Sequence, residues 1–139
     1  MSKTYLTVKD HLLIEAYLER HKDRDPAVVA IARAKLSNAR IVFTQDVPAD
    51  VATLNSRVRY RLDGGLVQTR QPVHWGQSPV QGLTIPISVP LGMALLGLRP
   101  GQTLPLPRRD GSFEILAVTE IAYQPEAARH LAHASGGGW

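Results

Sequence analysis

The sequence predicts an α+β chain, with a short antiparallel helical hairpin followed by a mostly antiparallel β domain that carries one short helix. Apolar residues recur at spacings of three and four up to about residue 40 and alternate in twos after it. Asp25-Pro26 divides the helical part in two. A proline-led, leucine-rich stretch, "PLGMALLGL" at Pro90 to Leu98, interrupts the strand-like runs.

Each element follows from its residues. Thr7 and Asp10 have the spacing of a capping box, in which each side chain accepts an otherwise unpaired amide hydrogen. Leu13, Ala16 and Tyr17 then form one helical stripe, widened by Ile14 and Leu18. "HKDRDP" breaks the pattern, and Asp25 as a cap with Pro26 at the first helical position restarts it. In the second helix Val29, Ala32, Leu36 and Ala39 make a heptad-like seam with small residues for close approach. A short turn between two helices makes them antiparallel, with arms of about 22 Å at 1.5 Å per residue.

After "TQDVPAD", which reads as a linker, "SRVRYRL" alternates Arg57, Arg59 and Arg61 against Val58, Tyr60 and Leu62, a strand with one wet face. Asp63-Gly64-Gly65 is a turn, and "LVQTRQ" returns as the second arm of a hairpin. "LTIPISV" is a further strand, with Pro86 marking an edge or a bulge. Pro90 opens a helix whose Leu91, Ala94, Leu95 and Leu98 face one way and which Gly97 helps to end. Arg99-Pro100-Gly101-Gln102 fits a type II turn. "TLPLP" and "SFEILAVTEIAY" are two more strands about an Arg109-Asp110-Gly111 turn, and "PEAARHLAHA" reads as a short helix. The expected boundaries are 1–43 for the hairpin, 44–50 for the linker and 51–139 for the β domain, with a flexible tail at 134–139.

Composition narrows the function. A chain of 139 residues is long enough for a core that needs no staple. It has no cysteine, which excludes disulfides, thiolate metal sites and a cysteine nucleophile, and fits a reducing cytoplasm. "MSKTYLTVKD" lacks the apolar region of a signal peptide and no run is long enough to span a bilayer, so the expectation is a cytoplasmic protein with no membrane partner. The formal charge of +4 favours an acidic partner.

The stretch "ISVPLGMALLGLRPGQTL…FEILAVTEIAY" resembles the C-terminal domain of the bacterial Gre transcript-cleavage factors. "DVATLNSRVRY" (Asp50 to Tyr60), Pro90 to Leu98 and "YQPEAA" (Tyr123 to Ala128) are more similar to the Rnk branch, named as regulators of nucleoside diphosphate kinase. These blocks span most of residues 50–128; the hairpin agrees in layout only. The resemblance implies an FKBP-like domain carrying a short coiled coil, and a monomer that binds RNA polymerase at the mouth of its secondary channel. Any nucleic-acid contact would then lie within the polymerase complex. Carried over, the docking contacts fall on Val89, Pro90, Leu91 and Gly92, with Met93 nearby. The chain departs from Gre in having Val89 for a serine, which removes a hydroxyl from that surface, and Gln102 for the aspartate of Gly-Asp. An effect on nucleoside diphosphate kinase reads as indirect, because no residue pattern offers a nucleotide site.

Gre factors carry two acidic side chains at the hairpin tip that help hold a magnesium ion in the polymerase active site. Here the tip is Asp23, Arg24 and Asp25. Arg24 offsets their charge, Asp25 serves as a cap, and each turn missing from the arms costs 5.4 Å of reach. The expectation is therefore a non-enzymatic channel binder without a cofactor, which competes with Gre-type factors and does not stimulate cleavage.

Alternatives are a true cleavage factor, a prolyl isomerase and a nucleic-acid module. An isomerase pocket needs several aromatics, and this chain has two Phe, four Tyr and two Trp. Trp75 and Trp139 read as exposed apolar groups, the second in a glycine tail. Arg57, Arg59 and Arg61 can contact phosphate or an acidic polymerase surface, or simply form a solvated strand face that discourages edge pairing. His130 and His133 lie one helical turn apart with His11 and His21 elsewhere, and without a third ligand at a metal-site spacing no metal is expected. Ser56, Ser88 and Ser112 lack a nucleophile elbow, and Gly64-Gly65 lacks the lysine of a phosphate loop.

Overall fold

The computed structural model describes residues 4–21 and 24–136, with side chains up to residue 132. Strand β1 (Tyr5–Thr7) leads directly into α1 (Val8–His21); α2 (Pro26–Asn38) follows and runs out into β2 (Arg40–Val42). β1 and β2 pair in parallel, Tyr5 opposite Arg40 and Thr7 opposite Val42, so the start of α1 and the end of α2 are held side by side. A 3-10 turn (Thr44–Asp46) comes next. A five-stranded sheet is built from β3 (Arg57–Leu62), β4 (Gln68–Val73), β5 (Thr84–Pro86), β6 (Thr103–Pro107) and β7 (Phe113–Tyr123), in the order β5-β4-β3-β7-β6. The helix α3 (Pro90–Leu95) lies between β5 and β6 in sequence, and α4 (Pro125–Gly136) ends the described chain.

The local chemistry acts where the sequence places it. Asp25 caps α2, its carboxylate accepting from the Ala27 amide at 2.9 Å, with Pro26 in the first turn. Thr7 Oγ1 accepts from the Asp10 amide at 3.0 Å, which is half of the expected capping box. The other half does not form. Asp10 turns inward and its carboxylate accepts from the Leu54 amide at 3.1 Å, because burial against residues 53–54 offers it a different donor. Gly101 (φ +89°) supplies the left-handed position of the turn that the Gln102 amide closes on the Arg99 carbonyl at 3.0 Å.

Three expectations need correction. The buried stripe of α2 is Val28, Ile31, Ala32 and Lys35, one residue out of step with the anticipated seam; Val29, Leu36 and Ala39 are half-buried on its flank. β5 is indeed at an edge, as Pro86 requires, but it pairs in parallel with β4. The arginine-bearing β3 occupies the centre of the sheet, so its charges do not guard an edge.

One buried cluster runs through both halves of the chain. Ile14 and Tyr17 of α1 and Val28, Ile31 and Ala32 of α2 join Val58, Tyr60, Leu116 and Val118 from the inner sheet face, with Met93, Ala94 and Leu95 of α3 among them. The helices thus lie on one face of the sheet, and Arg57, Arg59 and Arg61 project from the opposite one. Among the described residues no helix is long and apolar enough to cross a membrane.

Candidate functional site

The region around α3 is built from its proline outward. Val89 precedes the helix in extended conformation (φ −114°, ψ 154°), as a residue before proline prefers, and makes no side-chain cap bond. Pro90, whose missing N–H is no loss in a first turn, starts the helix, and the Met93 amide donates to the Val89 carbonyl at 3.1 Å. Of the five residues expected at a docking edge, Val89, Pro90 and Leu91 are half-buried and offer surface. Gly92 and Met93 do not: Met93 is fully buried in the core, and a side chain on Gly92 would collide with the Pro86 carbonyl. The close approach of two backbones explains the glycine.

The other end of α3 is held from three sides. Lys35, on α2, is buried, and its amine donates to the carbonyls of Ala94 at 2.9 Å and Leu96 at 2.6 Å. These are carbonyls that a six-residue helix leaves without partners of its own. Burial alone pulls the Lys35 pKa down to about 7. Gly97 (φ +85°) lies against Tyr5, and its amide donates to Ala52 at 2.7 Å. Arg99 then grips Asp50 with two nitrogens, at 3.1 and 2.9 Å, and lies over the Tyr5 ring.

The block "DVATLNSRVRY" proves to be a junction. Thr53 and Ser56 are buried and hydrogen-bonded to each other at 2.8 Å; Thr53 Oγ1 also donates to Glu126 of α4 at 2.6 Å. The Gln124 amide group donates to the carbonyls of Pro48 and Val51, both at 2.8 Å. Asp10 completes the junction from α1. Desolvation, reinforced by the charge of Glu126, raises the Asp10 pKa to about 6. Residue-by-residue reading missed Lys35, Glu126 and Gln124. Lys35 left a signal nonetheless, since it sits one turn after Ile31 and Ala32 on the apolar face.

Between α1 and α2, Asp25 is engaged as the α2 cap, Arg24 is exposed, and Asp23 lies outside the described residues. The last turn of α1 is tied to the segment after β4. The Trp75 ring meets Tyr17 edge-on at 5.6 Å and His21 at 5.3 Å, and stacks on His74 at 3.9 Å. Trp75 is therefore a half-buried packing group and not a free surface residue, while Trp139 lies outside the described residues. The strand arginines each have a partner: Arg57 lies over the Tyr123 ring, Arg59 pairs with Glu120 at 2.6 Å, and Arg61 donates to the Gly65 carbonyl at 3.1 Å. His130 is exposed on α4, and the His133 side chain is outside the described set. Among the described residues no group of three histidine, aspartate or glutamate side chains converges as metal ligands.

A helix pair followed by a curled sheet with a buried short helix is the layout of a Gre-type factor. A solved structure described as a prokaryotic transcription elongation factor GreA/GreB from Nitrosomonas europaea matches 88% of this chain and the whole of that chain, with a TM-score of 0.65 and 28% identity. No family model matches the sequence. Proteins named regulator of nucleoside diphosphate kinase, from Escherichia coli K12 and from Shigella flexneri, are each 34% identical over 116 residues, covering 83% of this chain and 85% of theirs. The chain belongs to this family, the Rnk branch of the Gre factors.

Proposed function

We propose that the chain is a non-enzymatic regulator of transcription that binds RNA polymerase at the secondary channel and competes there with Gre-type factors. The observation that carries this reading is the edge at the start of α3. Val89, Pro90 and Leu91 present apolar surface, while Gly92 to Leu96 behind them are locked in the core and Lys35 pins the far end of the helix. Such an edge is preorganised, so a partner that grips it loses little ordering entropy. The domain that carries it is read as FKBP-like.

The helix pair, read as a short antiparallel hairpin, supports regulation without cleavage. Helices of 14 and 13 residues are only about 20 Å long. The last turn of α1 is packed on Trp75, which leaves little of the pair to reach beyond the sheet domain. Asp25 is committed to its own helix.

The deciding experiment is a pull-down of purified core polymerase, with and without a Gre factor, together with a cleavage assay on a backtracked complex. Binding that a Gre factor displaces, with no rise in RNA cleavage, is the expected result. Absence of binding removes the proposal, and strong cleavage replaces it with the catalytic reading.

A further inference from the structure

The outer face of the sheet carries a feature that neither the core nor the α3 edge explains. Arg57, Arg59 and Arg61 stand in a row on its central strand, about 7 Å apart from one to the next at the rise of a strand. Like charges so placed repel one another, and an edge-guarding role is closed to a central strand. On β7, Tyr123 lies opposite Arg57, Glu120 opposite Arg59 and Ala117 opposite Arg61; Ile115 and Phe113 continue the same face. Tyr123, beside Arg57, is 41% exposed; Phe113, four residues along β7 from Ala117 and so about 13 Å past Arg61, is 60% exposed. Thr69 and Thr103, small side chains on β4 and β6, leave the surface between them shallow.

We infer that this face is a platform for single-stranded nucleic acid. The arginine row supplies charge complementary to a phosphate backbone, and its even spacing lets an extended strand engage one guanidinium after another. The tyrosine ring, with the Arg57 guanidinium lying over it, and the phenylalanine ring offer planar surfaces on which bases stack. An acidic protein surface would use the arginines but has no need of an exposed ring beside Arg57 and a second further along the same face of β7, which is why nucleic acid is favoured. Glu120 is a built-in competitor: it holds Arg59 at 2.6 Å in a pair that is about half exposed on both sides, the kind that is cheaply exchanged for a phosphate.

The test is fluorescence anisotropy of the full chain with a labelled short oligouridylate and the matching oligodeoxythymidylate, over a salt series. Engagement of three phosphates predicts a log–log salt slope of about −2. Joint replacement of Arg57, Arg59 and Arg61 by glutamine should weaken binding by about tenfold or more. Tyr123→Ala should weaken it by about fivefold or more. Glu120→Gln should tighten it, an outcome that a purely structural role for the Arg59 pair does not give. A charge-matched control, Arg20, Arg33 and Arg40 all changed to glutamine, should stay within about twofold of the parent. The inference is overturned if neither oligonucleotide binds at low salt, or if the control loses as much as the strand variant. It is equally overturned if polyglutamate competes as well as the oligonucleotide while Tyr123→Ala has no effect, since the face would then be a protein contact.

Discussion

Lys35 of α2 and Leu96, just past the end of α3, are joined by a 2.6 Å hydrogen bond across the centre of the molecule, with the Ala94 carbonyl sharing the same amine at 2.9 Å. Among the described residues no carboxylate pairs with this amine, and its hydrogen bonds go to two carbonyl oxygens at a helix C-terminus. The contact ties the helix pair to the element whose other end forms the proposed docking edge. It also gives the protein a pH response opposite in sign to that of a lysine whose pKa is raised by a carboxylate partner.

The folded-state pKa of Lys35 lies near 7 against an ordinary 10.5, so between these values the unfolded chain holds the extra proton. Stability from this group is fully present above 10.5 and is lost as pH falls through 7. Urea titrations from neutral to pH 9.5 should therefore show the wild type gaining on Lys35→Met, which has no proton to exchange. Two curves that run parallel across this window would refute the assignment.

Asp10 responds in its own window. Its pKa is raised from 3.8 to about 6 by burial, so its favourable share is complete below 3.8 and is lost as pH rises through 6. Asp10→Asn keeps an acceptor for the Leu54 amide while removing the buried charge near Glu126. Relative to the parent, this variant should gain about 2 kcal/mol between pH 4 and pH 7.5 by the linkage of pKa to stability. Thermal melts at the two pH values measure it, and a constant difference would mean that Asp10 is not titrating in this range. Glu126→Gln should shift the transition to lower pH.

Trp75 should matter more for the helix pair than for the sheet. Removing its ring deletes the edge contacts to Tyr17 and His21, and half-buried aromatic truncation costs about 2 kcal/mol. Hydrogen exchange should speed up in the last turn of α1 and the first turn of α2 of Trp75→Ala, with β3 and β7 unchanged. Uniform acceleration would show that the ring supports the whole core instead.

What was readable in the sequence and what was not divide along a physical line. Local signals carried through: Asp25-Pro26 does cap α2, Gly101 does sit at the left-handed position of its turn, and the alternation in "SRVRYRL" does make one wet face. Facts that depend on what packs from far away in sequence did not. Lys35 has no assigned role until α3 is placed over it, and Asp10 reads as half of a capping box until Leu54 competes for its carboxylate. The same holds for β3, whose period says that one face is wet but not that the strand is central. The stretch from Val89 to Met93 was legible only as the start of a helix at Pro90. Its division into surface and core was not, because that is set by the Pro86 backbone crossing beneath Gly92.

That division gives the sharpest test of the proposed docking edge. Pro90 and Gly92 are two residues apart on a short helix, yet one faces outward and the other is wedged against the Pro86 carbonyl. Pro90→Asp puts a carboxylate in the first turn of α3, where the helix dipole favours it, so stability should change by no more than about 1 kcal/mol. An apolar polymerase contact would nonetheless be spoiled by that charge, and binding in the pull-down should fall by about tenfold or more, as burying an unpaired charge costs at least that much. Gly92→Ala should do the reverse at the level of the fold, losing about 2 kcal/mol because the added methyl group has no room. Its polymerase binding should fall only in proportion to the unfolded fraction. If Pro90→Asp binds normally while remaining folded, the edge at Val89–Leu91 is not the docking surface, whatever the chain does with polymerase elsewhere.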